Sequence, residues 1–269
     1  MSNNTDAPKD FTAKPVHLKF EGITLSIGGL KILSDISLDV TKGDLFALIG
    51  PNGAGKTSLL NCISGIYRPT KGRFLLEDKD LTALKPHDAA SNGIARTFQH
   101  AEMFQGMSVL ENLLVARHLK MENGFLSTCV FWGKNRREEV KHREAVEKII
   151  EFLELEKYRK SDATSLPYGI QKIVGLGRAL AVEPQLLLLD EPSAGMNRRE
   201  KEDLARFILR IKRERGVTMC WVEHDMQLVG DLADSVAVLN YGTKIAEGRT
   251  EDVLKNPEVV KAYLGSKAL

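Results

Sequence analysis

Gly50-Pro51-Asn52-Gly53-Ala54-Gly55-Lys56-Thr57 is the stretch on which the reading of this chain turns. It has the spacing GxxxxGK followed by Ser or Thr, with the apolar run Leu45-Phe46-Ala47-Leu48-Ile49 before it and a helical pattern from Lys56 to Ile66 after it. A strand, a glycine loop and a helix in that order form a cradle for phosphate. Glycines at 50, 53 and 55 let the backbone turn its N–H groups inward, and the helix that opens at Lys56 aims the positive end of its dipole at the same point. Lys56 brings a full positive charge for β and γ phosphates, and the Thr57 hydroxyl is placed to hold Mg²⁺. Pro51, Asn52 and Ala54 complete the loop, and Ser58 lies in the first turn of the helix. A solvated lysine after a Gly-rich turn is the plain alternative, and the two correct flanks speak against it.

Downstream, Leu186-Leu187-Leu188-Leu189-Asp190-Glu191-Pro192 reads as a buried strand that ends in two carboxylates, at the sheet edge where open α/β folds bind ligands. Asp190 is expected to orient the shell of Mg²⁺. Glu191 projects differently and is expected to be the general base for an attacking water. By itself Asp-Glu at a strand end is ordinarily a solvated turn. The phosphate loop upstream reverses that reading.

The 269 residues, 43% of them hydrophobic, suffice for one substantial α/β domain and are few for two. With 38 basic and 36 acidic residues the net charge is +2, which argues against a dedicated nucleic-acid binder. Cys62, Cys129 and Cys220 are far apart, without CxxC or Cys/His spacing, so they read as reduced thiols in a cytosolic protein, with no disulfide framework or zinc site. No run approaches the roughly 18 to 20 apolar residues of a spanning helix, and Met1–Pro15 lacks an apolar signal region. The expectation is a chain that neither crosses a membrane nor is exported, with residues 1–15 a mobile tail before the domain.

Short β-rich runs follow from Val16: VHLKF, ISLDV, LFALIG and RFLLE, separated by turns such as Ile27-Gly28-Gly29 and Thr41-Lys42-Gly43. From about Ser108 to Val182 the helical period takes over, with Val146, Ile149, Ile150 and Leu153 on one face. Strand and helix then alternate to the end, which implies a mainly parallel sheet covered on both sides. No internal repeat appears. Lys120–Arg137 stands apart, an apolar cluster (Phe125, Leu126, Val130, Phe131, Trp132) beside a basic one. It reads either as a docking patch or as a local cap.

Across nearly all of Val16–Gly265 these motifs, and others in the same order, resemble the ABC ATPase family. Gln99 in RTFQH sits where that family has a glutamine that senses Mg²⁺ and the attacking water and adjoins the transmembrane partner. Leu166-Pro167-Tyr168-Gly169-Ile170-Gln171 occupies the signature position, Ser193–Asn197 the D-loop, and His224 in WVEHDM the switch histidine that would hydrogen-bond the γ-phosphate. The resemblance implies a P-loop NTPase core over residues 16–266 with an N-terminal antiparallel β subdomain and an inserted helical subdomain at about 100–182. It further implies two ATP molecules sandwiched between phosphate loop and signature of facing subunits, with Pro167, Tyr168, Gly169 and Gln171 as the signature contacts. The second ATPase subunit would be identical or different, and the pair would drive transmembrane permease subunits from the cytoplasmic face of the cell membrane, fed indirectly by a solute-binding protein.

Within the family the chain is most similar to ATPases of branched-chain amino acid importers, through Tyr168-Gly169, the long insert, EPSAGMN and the ending NPEVVKAYLG. Relatives for urea, carboxylates or lipid share some of these features. A soluble ABC protein would be expected to carry tandem ATPase domains or coiled coils, and a P-loop kinase would leave Gln99, the signature and His224 unexplained. Three departures stand out: Pro167 replaces the usual signature serine, Asn197 replaces the D-loop aspartate, and Ile27 falls where an aromatic ring normally stacks on adenine, with Phe20 as a possible substitute.

Overall fold

The computed structural model describes residues 14–97, 103–118 and 134–265, with the side chains of 134–138, 264 and 265 outside the description. Gln99, most of the 120–137 insert and residues 1–13 of the expected tail therefore lie outside the described residues. The last two tail residues are anchored: Lys14 pairs with Asp44 at 3.1 Å, and the Pro15 carbonyl accepts from the Lys42 N–H at 2.9 Å.

Two sheets make the frame. The first is antiparallel, in the order β2-β1-β4-β5, from β1 (Val16–Ile27), β2 (Leu30–Thr41), β4 (Lys71–Leu76) and β5 (Lys79–Asp80). The second runs β10-β9-β3-β8-β7-β6, from β3 (Leu45–Ile49), β6 (Ile94–Thr97), β7 (Leu186–Asp190), β8 (Thr218–Val222), β9 (Ser235–Asn240) and β10 (Thr243–Arg249). All its pairings are parallel except the edge pair β9–β10.

Burial explains the parallel arrangement. Every residue of β3, β7 and β8 is buried, so both faces must be covered. Because side chains alternate along a strand, Leu186 and Leu188 join Cys220 and Val222 in one core with α1 (Lys56–Ile63) and the antiparallel sheet. Leu187 and Leu189 join Met219 and Trp221 in the other, with α2 (Val109–Arg117), α3 (Lys134–Phe152), α4 (Tyr168–Ala181) and α5 (Arg198–Arg210). Val146, Ile149, Ile150 and Leu153 lie in that second core as their spacing requires. A third cluster sets Ala47 and Ile49 of β3 with Val236 and Val238 against α6 (Met226–Leu232), α7 (Thr250–Val253) and α8 (Pro257–Gly265).

The β1–β2 hairpin is much longer than its sequence runs indicate. Register shifts interrupt its pairing, and the buried apolar positions change phase between Phe20 and Ile23 on β1 and between Leu33 and Ile36 on β2, so simple alternation is lost. The helix after the phosphate loop is shorter than its apolar pattern, which extends to Ile66. It stops at Ile63 because Gly65 takes φ 74° and its Cα approaches the Leu84 carbonyl too closely for a side chain.

Candidate functional site

β3 delivers the chain into the glycine loop at the C-terminal edge of the parallel sheet. Gly50 has φ 147°, and a Cβ there would lie 2.1 Å from the Leu239 carbonyl oxygen; at Gly55, φ 99°, it would lie 2.6 Å from Leu33. Gly53 has φ 77° with open space beside it. The outer glycines thus allow the loop to pack on β9 and β2, and the central one leaves the backbone approachable. Gly242, in the β9–β10 turn, fastens this arrangement by donating to Ala54 O at 3.1 Å and accepting from Ser34 N at 2.8 Å.

Lys56 is buried, and its ammonium donates to the carbonyls of Gly50 and Pro51 at 2.8 and 2.9 Å. Burial pulls its pKa below the ordinary lysine value, and the nearby carboxylates of Glu191 and Asp190 pull it back up. Thr57, exposed, donates its hydroxyl toward Asp190 Oδ1 at 3.4 Å. Ser58 is half-buried in the first turn of α1.

Asp190 ends β7, fully inside the sheet. Glu191 continues the ladder by donating its N–H to Val222 O at 3.0 Å and then turns with φ 46°, a conformation that costs a non-glycine residue energy and concentrates at functional sites. That turn aims its side chain at His224, whose Nε2 lies 2.6 Å from Glu191 Oε1. The loop, Asp190, Glu191 and His224 therefore converge at one edge of the sheet.

The signature stretch lies against the segment that follows β7. Pro167 is the N-cap residue of α4. The Tyr168 ring packs against Gly195, where a Cβ would come within 3.0 Å of it, and Gly169 faces Glu200, whose Oε1 would be 2.4 Å from a Cβ. Gln171 uses its amide to donate to the carbonyls of Thr164 and Leu166, at 3.0 and 2.8 Å, and so braces the loop before α4. Asn197 caps α5 in a reciprocal box with Glu200. Asparagine and aspartate cap equally well, so this departure changes charge and leaves the helix start intact.

Ile27 is 43% exposed at the end of β1, beside the Gly28-Gly29 turn. Phe20 is 2% exposed, inside the core beneath the antiparallel sheet, which removes it as a stacking candidate.

Two residues escaped sequence reading. Arg96, on β6, donates to Asp190 Oδ2 at 2.7 Å and to Asn61 and Ser64 at 2.6 and 3.0 Å. Glu223 is buried and accepts from the Ser193 hydroxyl and the His224 N–H, both at 2.8 Å, and from the Asp225 N–H at 3.2 Å, which joins the turn after β7 to the histidine. The only signal for either was a charged residue within or next to an apolar run.

This fold and this constellation define a P-loop nucleotide hydrolase. The ABC transporter family model matches residues 33–194, and a model for the branched-chain amino acid ATP-binding cassette transporter matches residues 243–268. The high-affinity branched-chain amino acid transport ATP-binding protein BraF of Pseudomonas aeruginosa is 38% identical over 256 residues, covering 94% of this chain and 99% of that one. LivG of Escherichia coli, with the same description, is 37% identical over 248 residues, covering 92% and 97%. Among solved structures, a nucleotide-free ATP-binding cassette from an ABC transporter superposes with TM-score 0.80 at 35% identity, covering 93% and 99%. A cassette in its ADP conformation gives 0.81 at 34%, covering 94% and 100%. The chain belongs to the ATP-hydrolysing, nucleotide-binding subunits of the ABC transporter family. Among the described residues no helix is long and apolar enough to cross a membrane.

Proposed function

We propose that this chain is the peripheral ATPase subunit that powers an ABC importer of branched-chain or related amino acids, docked on permease subunits at the cytoplasmic face of the cell membrane. The observation that carries the amino-acid reading is the match of residues 243–268 to the branched-chain family model, together with near full-length similarity to BraF and LivG. A solute-binding protein would deliver the amino acid to the permease.

In this reading the N–H groups of residues 52–57 and the Lys56 ammonium take the triphosphate of ATP, with Lys56 exchanging the carbonyls of Gly50 and Pro51 for phosphate oxygens. The Thr57 hydroxyl and the Asp190 carboxylate are hard oxygen donors at the same edge of the sheet, a set that suits Mg²⁺. When bound, Mg²⁺ would supply positive charge that offsets that of the triphosphate. Glu191 accepts the proton of the attacking water, held in orientation by His224. Gln99 would act with this group. Pro167, Tyr168 and Gly169, at the start of α4, would face the ATP of a second subunit, where the helix N-terminus favours phosphate.

Purifying the chain from membranes of cells that express its neighbouring permease tests the partner assignment. Recovery with the permease is expected, and recovery with ribosomes or DNA in its place would overturn the assignment.

Base recognition is expected to be loose. A ring stacked on a nucleobase is worth about 1–3 kcal/mol, and Ile27 offers only dispersion and area. Ile27→Tyr should tighten ATP and GTP alike by roughly 5- to 150-fold with little change in discrimination. Affinities of both nucleotides for both proteins check this, and unchanged values would remove Ile27 from the base site.

A further inference from the structure

We propose that Arg96 is a positioning residue that sets the Asp190 carboxylate for the nucleotide-bound metal ion. This rests on the reading above, in which Thr57 and Asp190 hold Mg²⁺.

Both side chains are largely withdrawn from water, 8% exposed for Arg96 and 7% for Asp190. The guanidinium acts as a fork between two elements. One terminal nitrogen holds Asn61 and Ser64, on and just beyond α1, and the other holds Asp190 Oδ2. That helix opens with Lys56 and Thr57, so Arg96 ties the far end of the phosphate-binding helix to the end of β7. With Oδ2 bound to Arg96, Oδ1 is left turned toward the Thr57 hydroxyl. The arginine thus fixes the rotation of the carboxylate and assigns one oxygen to each side.

Arginine suits this task because its planar fork meets separate acceptors at once, whereas lysine is a flexible point charge. Arg96 also sits on β6, in register with Leu188 of β7, so it is held in place by the sheet.

A clamp that served only the fold would weaken ATP binding equally with and without metal. A residue that orients a metal's carboxylate acts on the metal-dependent part alone, and outer-shell partners of this kind change metal affinity by about 10- to 100-fold. The test measures ATP binding by calorimetry to the full chain in EDTA and across a Mg²⁺ titration, for wild type, Arg96→Lys and Arg96→Met, with thermal melts alongside. Wild type must first respond to Mg²⁺; if it does not, the metal reading itself fails, whatever Arg96 does. Given that response, Arg96→Lys is expected to keep ATP affinity in EDTA within about twofold and to raise the Mg²⁺ concentration for half-effect about tenfold. Arg96→Met should raise it further. An unchanged Mg²⁺ requirement, or an equal loss with and without metal, overturns the proposal. If Arg96→Met unfolds because Asp190 is left buried without its partner, Arg96→Lys decides. If neither variant folds, Arg96 serves the fold and the proposal is overturned.

Discussion

Replacing Glu191 by glutamine leaves ATP binding intact and lowers hydrolysis by about 10²- to 10⁴-fold, the range a positioned general base supplies. The amide is isosteric with the carboxylate and keeps an oxygen for His224 Nε2, so the 2.6 Å contact and the turn at φ 46° survive. What is lost is the ability to take a proton from water. ATP then persists between paired subunits, and the closed dimer accumulates. Phosphate release, nucleotide binding and gel filtration of the Glu191→Gln complex check the three parts; turnover near the wild-type rate would remove Glu191 from the role of base.

Lys56→Ala acts one step earlier. Its ammonium is buried and held by two loop carbonyls, so truncation removes both the charge that would meet the phosphates and an internal tie of the loop. Losing one partner of a buried charge pair costs about 2–5 kcal/mol, or roughly 30- to 4,000-fold in ATP affinity. Calorimetric titration with ATP reads this directly, and an affinity within a few-fold of wild type would mean that Lys56 is not the phosphate lysine. The two variants separate cleanly: one binds without turning over, the other fails to bind.

The centre of this site was legible because it is local in sequence. A strand, three glycines, Lys56 and Thr57 are contiguous, and Asp190 and Glu191 close one apolar run. Their meeting follows from the topology that apolar strands on both faces impose. Residues whose meaning is set by distant partners could not be read. Nothing in Ile94–Thr97 announces that Arg96 reaches Asn61, Ser64 and Asp190, and Glu223 next to His224 looks like any charged residue at a strand end until the sheet brings Ser193 beside it. Gln171 was read from its place in a motif alone, and spacing could not show that its amide also braces the loop before α4. Phe20 failed as a stacking candidate for a related reason: spacing along the chain carries no information on which face of a bulged hairpin turns inward.

Uptake in sealed vesicles tests the central claim most directly. Permease and this chain are reconstituted with ATP and Mg²⁺ on the side of the ATPase, solute-binding protein and labelled leucine, isoleucine or valine on the other, with Glu191→Gln in a parallel set. The account predicts accumulation that requires ATP, is stimulated by the binding protein and disappears in the Glu191→Gln vesicles. Accumulation that persists at the wild-type rate in those vesicles, or ATP hydrolysis by the wild-type complex with no amino-acid uptake, would contradict it.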